Sequence, residues 1–179
     1  MNTIVRESRE TTVRVRIIDD AALTAIETTV PFLDHMLATL ARYMERGIIV
    51  TARGDLTHHI IEDVGIAFGK ALAAYAPAFA ARFGDRTIPM DDALVQCAID
   101  LGGRAYYRGR LPSTLYEHWM RSFADSAAAT LHIRVIRGND RHHIVEAAFK
   151  ALGLALREAL RETDQVFSTK GVVTIREQG

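Results

Sequence analysis

An internal repeat constrains this chain of 179 residues more than any other feature of its sequence. The segment GDLTHHIIEDVGIAFGKAL at 54–72 matches GNDRHHIVEAAFKALGLAL at 138–156. In both, a glycine stands four residues before a His-His pair, and a glutamate follows the first histidine by four residues. FLDHML at 32–37 likewise matches LYEHWM at 115–120, and each of these histidines precedes its own His-His pair by 23 or 24 residues. Matches in the same order indicate a duplicated structural unit.

Hydrophobic periodicity predicts the same elements in both halves. Residues 11–17 alternate between apolar and charged side chains, as in a half-buried strand, and apolar residues at helical spacing follow at 33–44 and 61–75. For the second half we predict strands near 93–101, 104–111 and 131–137, and helices around 119–123 and from about 142 to 161. We therefore predict an α+β fold with an internal duplication of a ββαβα unit, residues 1–87 and 88–179. The helices of each unit would cover one sheet face, giving a two-layer sandwich.

Composition excludes several classes of protein. The 22 basic residues balance the 22 acidic ones, so no net charge favours nucleic acid or an anionic membrane. The first residues, MNTIVRESRE, lack the apolar segment of a secretory signal. A single cysteine, Cys97, cannot form an intrachain disulfide. We expect a cytoplasmic globular protein with no membrane partner and no nucleic-acid partner.

The repeated histidines predict a metal site. They are His35, His58, His59, His118, His142 and His143. Residues four apart lie on one face of a helix, so His58 can chelate an ion together with Glu62. The corresponding pair of the second half is His142 and Glu146. Two such elements facing each other would hold two equivalent ions, each with a His and a Glu from one repeat and the second His of the other.

The predicted ligands are imidazoles with one carboxylate per ion and no thiolate. Four-coordinate zinc would be satisfied by this set, whereas manganese or iron would keep two positions for substrate or water. The spacing does not choose between these metals. His132 stands outside the repeated positions, and we expect it to be an ordinary surface or core histidine.

The motifs as a whole resemble one enzyme family. The chain contains, in this order, RESRETTV, PFLDHML, HHIIED, RFG, PMDDAL, GGRAYY, EHWMRS, TLHIRVIRGNDRHHIVEAAFKA and FSTKG. In this order the motifs are similar to those of the imidazoleglycerol-phosphate dehydratase family over nearly the whole chain. The resemblance implies a duplicated fold of the ribosomal protein S5 domain 2-like kind and dehydration of imidazoleglycerol phosphate in histidine biosynthesis. It also implies two manganese ions per active site and a homo-oligomer of 24 subunits with sites between subunits.

The resemblance implies the following residue roles. One ion would be bound by His35, His59, His142 and Glu146, and the other by His58, Glu62, His118 and His143. The ions would act as Lewis acids and orient the substrate, while a carboxylate takes the carbon-bound proton as general base. That carboxylate would be Glu10. The substrate phosphate would be held by Arg82, Arg104, Lys150, Ser168, Thr169 and Lys170, and the substrate as a whole would also contact Glu10 and the ligands His35, His58, Glu62 and His142.

Two positions in the candidate catalytic set depart from the family. Tyr43 stands where the family has histidine, at a position that contacts substrate or its water network. Asp92 replaces a glutamate in PMDDA, which shortens the side chain by one methylene. Two alternatives to the dehydratase therefore stay open. One is a diverged enzyme that uses two metals on another phosphorylated metabolite, and the other is a non-catalytic metal-binding oligomer.

Overall fold

The computed structural model describes residues 2–164 and contains eight strands and four helices in that range. The first half comprises β1 (Ile4–Glu7), β2 (Thr11–Ile18), β3 (Ala25–Glu27), α1 (Pro31–Met44), β4 (Gly47–Gly54) and α2 (Thr57–Tyr75). The second half comprises β5 (Phe83–Met90), β6 (Ala93–Asp100), β7 (Tyr106–Arg108), α3 (Thr114–Ser126), β8 (Thr130–Arg137) and α4 (Arg141–Ala159). The two halves thus have the same order of elements, and the predicted α+β duplication is confirmed.

Each half forms its own four-stranded sheet with the same topology. The strand orders are β1-β2-β4-β3 and β5-β6-β8-β7. The first three strands of each order are antiparallel, whereas the short edge strands β3 and β7 run parallel to β4 and β8. A helix connects each parallel pair, as a crossover between parallel strands requires.

Two strand predictions for the second half are corrected. The first strand of that half is β5, which pairs along its whole length with β6, so the boundary predicted between residues 87 and 88 falls inside β5. Its sequence, FGDRTIPM, hides the alternation because an edge strand tolerates charged residues and Pro89. The segment 104–111 contains only the three residues of β7, since a short parallel edge strand carries little periodicity of its own.

The helices of the two halves pack against each other between the two sheets. One face of each sheet is buried, as the alternating burial of β2 and β6 shows. Helix α2 packs on α3, and α1 packs on α4. A Cβ atom at Gly69 would lie 2.5 Å from the carbonyl oxygen of Phe123, and one at Gly153 would lie 2.8 Å from Cβ of Tyr43. Glycine at these positions lets the helix backbones approach, and one continuous apolar core joins both halves.

The ends of the helices follow local chemistry. Helix α2 ends at Tyr75, two residues before Pro77, because the residue preceding a proline is disfavoured in helical conformation. Helix α1 ends at Met44, and Glu45 adopts a left-handed conformation with φ of 54°. None of the helices within residues 2–164 is both long enough and apolar enough to cross a membrane.

Candidate metal centre

Helices α1 and α4 bring three predicted ligands together, which we call the α1/α4 cluster: His35, His142 and Glu146. Nε2 of His142 lies 3.1 Å from Oε2 of Glu146, and Nε2 of His35 lies 3.5 Å from the same oxygen. The ligand atoms of the three residues all lie within 4.8 Å of one another. Because His35 belongs to the first half and the other two to the second, the cluster exists only where the halves meet.

Helices α2 and α3 bring together the corresponding residues, the α2/α3 cluster: His58, Glu62 and His118. Nε2 of His58 lies 3.3 Å from Oε2 of Glu62, as the helical spacing predicts. The ring centroids of His58 and His118 are 5.2 Å apart with the ring planes at 85°. This cluster is more open, since the Glu62 side chain is 41% exposed and that of Glu146 is 10% exposed.

An acidic residue directly before His35 and another before His118 fix the starts of α1 and α3. Asp34 accepts hydrogen bonds from the backbone N–H of Thr28 at 2.9 Å and from its hydroxyl at 2.5 Å. Glu117 accepts one from the backbone N–H of Leu111 at 3.0 Å. Each carboxylate ties the segment that leads into a helix to the first turn of that helix. The two ligand histidines are thereby held at corresponding places in the fold.

The segment before α4 is held by two aspartates. Asp140 caps the helix by accepting the N–H groups of His142 and His143. Asp92, in the turn between β5 and β6, accepts the N–H of Asn139 at 2.6 Å, that of Asp140 at 3.2 Å, and Nδ1 of His143 at 2.8 Å. These hydrogen bonds lower the pKa of Asp92 to about 2, and the one from the backbone N–H of Asn139 has the largest effect. The hydrogen bond that His143 donates to Asp92 raises the pKa of His143.

His59, the second histidine of the first-half pair, faces a different set of acids. Its Nδ1 lies 2.8 Å from Oδ1 of Asp55 and 3.7 Å from Oε2 of Glu10. The hydrogen bond with Asp55 raises the pKa of His59 and lowers that of Asp55. Glu10 lies in the turn between β1 and β2, and its side chain is 60% exposed.

Within one chain, Nδ1 of His59 and Nδ1 of His143 each contact an aspartate outside both clusters. The rings of His58 and His59 are 5.9 Å apart at 78°, and those of His142 and His143 are 6.0 Å apart at 86°. Adjacent helical residues point about 100° apart, so the second histidine of each pair is directed away from the first. The described chain brings together the ligand atoms of three of the four residues predicted for one ion. For the other ion, it places His58 beside Glu62 and beside the ring of His118.

Lys150 contacts the α1/α4 cluster directly. Its Nζ lies 2.9 Å from Oε1 of Glu146 and 3.1 Å from the sulfur of Met90. The ammonium also lies 5.8 Å from the centre of the Tyr43 ring. Burial opposes ionisation of Glu146, but the hydrogen bond and charge of Lys150 outweigh it, so the pKa of Glu146 is lowered. Tyr43, one of the three candidate catalytic residues, is thus linked to the cluster through Lys150.

A cavity of about 300 Å³ opens beside His142. Its lining also includes Phe32, Tyr116 and Arg141. The Phe32 ring lies 5.0 Å from that of His142 and 6.5 Å from that of His35, so it forms an apolar wall next to the cluster. Phe32, Tyr116 and Arg141 are not among the predicted site residues. Phe32 stands three residues before His35, and this helical spacing is the signal that could have found it.

The residues predicted to hold phosphate are placed differently from one another. Arg82 pairs with Asp100, with Nε to Oδ1 at 2.6 Å and Nη2 to Oδ2 at 3.1 Å. Arg104 is exposed in the segment before β7. Lys150 contacts Glu146, as described above. Ser168, Thr169 and Lys170 lie outside the described residues.

The chemistry of the clusters fits a divalent metal ion. The α1/α4 cluster offers two imidazole nitrogens and a carboxylate oxygen, ligands that zinc, manganese and iron accept. Their spacing is short enough for one ion to reach all three atoms, since metal–ligand bonds of about 2.0–2.2 Å are usual for these donors. The i,i+4 pair His58 and Glu62 offers the same kind of donors in the other half.

Comparisons with known proteins agree over most of the chain. Residues 28–156 match the sequence model of a family described as imidazoleglycerol-phosphate dehydratase. A protein of that name from Pyrobaculum calidifontis is 46% identical over 94% of this chain and 97% of its own length. The crystal structure of IGPD from Pyrococcus furiosus in complex with (S)-C348 is similar with a TM-score of 0.87 and 39% identity, covering 94% of this chain and 99% of that one. The imidazoleglycerol-phosphate dehydratase structure from Staphylococcus aureus has a TM-score of 0.80 at 32% identity, covering 91% and 100%. The chain belongs to the imidazoleglycerol-phosphate dehydratase family.

Proposed function

We propose that this chain dehydrates imidazoleglycerol phosphate to imidazole-acetol phosphate, a step of histidine biosynthesis in the cytoplasm, with two divalent metal ions, manganese in particular. One observation carries the metal-dependent part of the proposal. His35 from the first half converges with His142 and Glu146 from the second half, with ligand atoms within 4.8 Å. Such convergence of side chains about 107 to 111 residues apart in sequence, at matched places of a repeat, is what a bound ion requires.

The two clusters would each hold one ion. The first would be bound by His35, His142 and Glu146, and the second by His58, Glu62 and His118. The fourth ligand would be His59 for the first ion and His143 for the second, each from a neighbouring subunit, since within their own chain they contact Asp55 and Asp92 and not the clusters. When bound, the ions would supply Lewis acidity and a template that orients the substrate.

Glu10 is the proposed general base. Dehydration removes a carbon-bound proton and a neighbouring hydroxyl group, so a free carboxylate must accept that proton. The Glu10 side chain is largely exposed, and among residues 2–164 its one ionic contact is with His59 at 3.7 Å. Asp92 is its counterpart in the second half, but its carboxylate already accepts three hydrogen bonds. We therefore assign to Asp92 the positioning of His143 and of the start of α4.

The phosphate-binding role of Arg82, Arg104 and Lys150 is part of the same proposal. Arg82 is oriented by Asp100 at 2.6 Å, and Arg104 is exposed. Both can offer guanidinium N–H groups to phosphate oxygens of a substrate bound between subunits. Lys150 is placed to orient the Glu146 carboxylate. Oε1 of Glu146 contacts the Lys150 ammonium, and Oε2 of Glu146 faces the two imidazoles.

The main experiment is a spectrophotometric dehydratase assay on protein of defined manganese content. Activity on imidazoleglycerol phosphate should rise in proportion to bound manganese up to two ions per subunit. Full activity of metal-free protein would refute the metal dependence. Activity confined to generic phosphate esters would instead favour a diverged enzyme on another metabolite.

A second experiment tests the shared site. If each ion joins subunits, prolonged chelation should convert a particle of about 24 subunits into much smaller species, and manganese should restore it, because the binding free energy of the metal is also assembly free energy. Light scattering coupled to size exclusion measures both masses. A protein that is monomeric while fully metallated and active would refute the shared-site proposal, and an unchanged particle after verified chelation would show that apolar contacts hold it.

The diverged enzyme keeps one observation in its favour, the position of Tyr43. Its ring faces Lys150, so the departure from the family histidine lies next to the α1/α4 cluster. Under the proposed dehydratase, Tyr43→His should preserve or improve turnover. A collapse of activity in this variant would show that the site depends on the phenol ring. It would favour an enzyme that acts on another phosphorylated metabolite.

A further inference from the structure

The outer face of the second sheet carries a basic groove away from both histidine clusters. The groove has a volume of about 640 Å³. Its polar lining is formed by Gln96, Arg108, Arg110, His132 and Arg134, with Ala98 among them. His132 pairs in register with Ala98 on one side and with Arg108 on the other, and Arg134 pairs with Gln96. Long side chains therefore surround the small side chain of Ala98, which leaves the face concave.

The corresponding face of the first sheet is built in the opposite way. Arg16 occupies the position of Ala98, because it pairs with Ile49 as Ala98 pairs with His132. Ala25, at the edge of that sheet, pairs with Ile49 where Arg108 pairs with His132. An arginine thus lies on a central strand of the first sheet, Arg16 on β2, but on an edge strand of the second sheet, Arg108 on β7. The second arrangement leaves a depression that is lined by arginines.

The arginines of the groove are not neutralised within the described chain. Arg108, Arg110 and Arg134 are exposed, and none of them forms an ion pair with another residue in 2–164. Arg108, His132 and Ala98 lie side by side in register across the sheet, and we call this line of residues the row. The nearest acidic residue in the row is Asp85 of the edge strand β5, which pairs with Ala98. It is three strand spacings from Arg108, roughly 14 Å between backbones. By contrast, the edge residue Glu27 of the first sheet pairs with Arg53.

We propose that this groove binds a small multivalent oxyanion, a ligand with several phosphate or carboxylate groups at short spacing. Planar guanidinium groups match the geometry of phosphate and carboxylate, and three arginines line this one depression. A nucleic acid would need a basic surface that continues beyond the groove, and the chain as a whole has no net charge. His132, whose ring lies 5.6 Å from that of Tyr106, adds a further donor at the centre of the row. The proposal does not depend on the proposed dehydratase function.

Binding can be measured with pyrene tetrasulfonate, a fluorescent multivalent anion, by fluorescence anisotropy on the metal-loaded protein. We expect saturable binding that weakens with added salt. The double variant Arg108→Ala/Arg134→Ala should bind at least about tenfold more weakly, as expected for loss of charge-assisted hydrogen bonds. Arg16→Ala removes the same kind of charge from the outer face of the first sheet, so it is the matched control and should bind like the wild type. All these side chains are exposed, and dehydratase activity should be unchanged in every variant.

Three further arms decide the nature of the ligand. Arg108→Lys/Arg134→Lys keeps the charge and should restore part of the affinity, because lysine lacks the planar fork. Displacement of the probe by tripolyphosphate or by benzene tricarboxylate supports the proposal and separates phosphate from carboxylate ligands. Absence of saturable binding to the wild type, or an equal loss with Arg16→Ala, would overturn it. Displacement by a long single-stranded oligonucleotide in preference to both small anions would also overturn it.

Discussion

The α1/α4 and α2/α3 clusters carry the same ligand types at matched positions of a repeat, yet their surroundings differ. Four residues after Glu146 stands Lys150, whose ammonium lies 2.9 Å from that carboxylate, whereas four residues after Glu62 stands Ile66. Two residues before His142 stands Asp140, which caps α4, whereas Leu56 precedes α2 at the same place. Accordingly the Glu146 side chain is 10% exposed and that of Glu62 is 41% exposed.

This difference separates two properties that a metal site needs. The identity and spacing of the ligands are shared by the two halves and follow from helical geometry. The restraint on those ligands comes from neighbours that the repeat does not share, in particular Lys150 and Asp140. We infer that the α1/α4 cluster is preorganised by its own chain, while the α2/α3 cluster depends more on what it binds.

Loss of a ligand should have the largest effect, and it should be equally severe in both halves. His58→Ala and His142→Ala should each leave about half of the wild-type metal, because each variant removes a ligand from only one of the two ions. Activity should be nearly abolished in both variants. Elemental analysis and the dehydratase assay measure the two quantities. Full metal content in either variant would contradict the assignment of that histidine.

The glutamates sharpen the same test through stability. Glu146→Ala leaves the Lys150 ammonium mostly buried without its carboxylate, so the free energy of unfolding of chelated protein should fall by about 1–3 kcal/mol. Glu62→Ala removes an exposed carboxylate and should cost far less. Chemical denaturation of the two variants compares them directly, and equal losses would show that Lys150 finds another partner.

Substitutions of Glu10 and Asp92 should affect different properties, turnover in the first case and metal binding in the second. Glu10→Gln should lower turnover by ~10²-fold or more with metal content and KM largely unchanged, since it removes only the proton acceptor. Asp92→Asn should instead weaken metal binding, because it disturbs the hydrogen bond to His143. Steady-state kinetics on variants of known metal content separates the two. If Glu10→Gln stays within a few-fold of wild type, another group accepts the proton.

Lys150 should matter for metal affinity in one cluster alone. Lys150→Met keeps the length of the side chain but frees Glu146, and the affinity of the ion at the α1/α4 cluster should fall about tenfold, the effect usual for a neighbour that orients a ligand. Ile66→Met is the matched control in the first half and should leave both affinities unchanged. Calorimetric titration of the chelated protein with manganese measures them. Unchanged affinities in Lys150→Met would mean that Glu146 needs no such restraint.

The smallest expected effect concerns the helix starts. Asp140→Ala should destabilise the protein by about 1 kcal/mol, because two N–H groups of α4 lose their acceptor. Leu56→Ala should have little effect, since Leu56 is 55% exposed and its side chain cannot accept a hydrogen bond. Urea unfolding of the chelated variants checks both. A larger loss for Leu56→Ala would show that this side chain is covered by another subunit.

The approach of the candidate ligands within each helix, and the long helices themselves, could be predicted from the sequence because their geometry is local. The approach of His58 to Glu62, for example, depends only on the spacing of helical residues. Edge strands were missed or misplaced for the opposite reason: β5 and β7 owe their conformation to β6 and β8, and their own residues carry little periodicity. The position of Lys150 depends on Tyr43 of α1 and Met90 of β5, which only the packed structure brings together.

The helical spacing of His59 and His143 predicts that they point away from His58 and His142. In the structure they contact Asp55 and Asp92. Their roles as ligands stay predictions, because they rest on contacts between subunits.

Each cluster takes residues from both halves of the chain, and this also restricts how such a chain can change over generations. A single repeat unit holds the His-His pair and the lone histidine on different helices, and it completes a cluster only against a second unit. An ancestor of half this length would have built the same clusters as a pair of identical chains, two at a time. Once the units are fused, neither can drift alone, because a mutation at His35 disables a cluster whose glutamate is encoded more than 100 codons later.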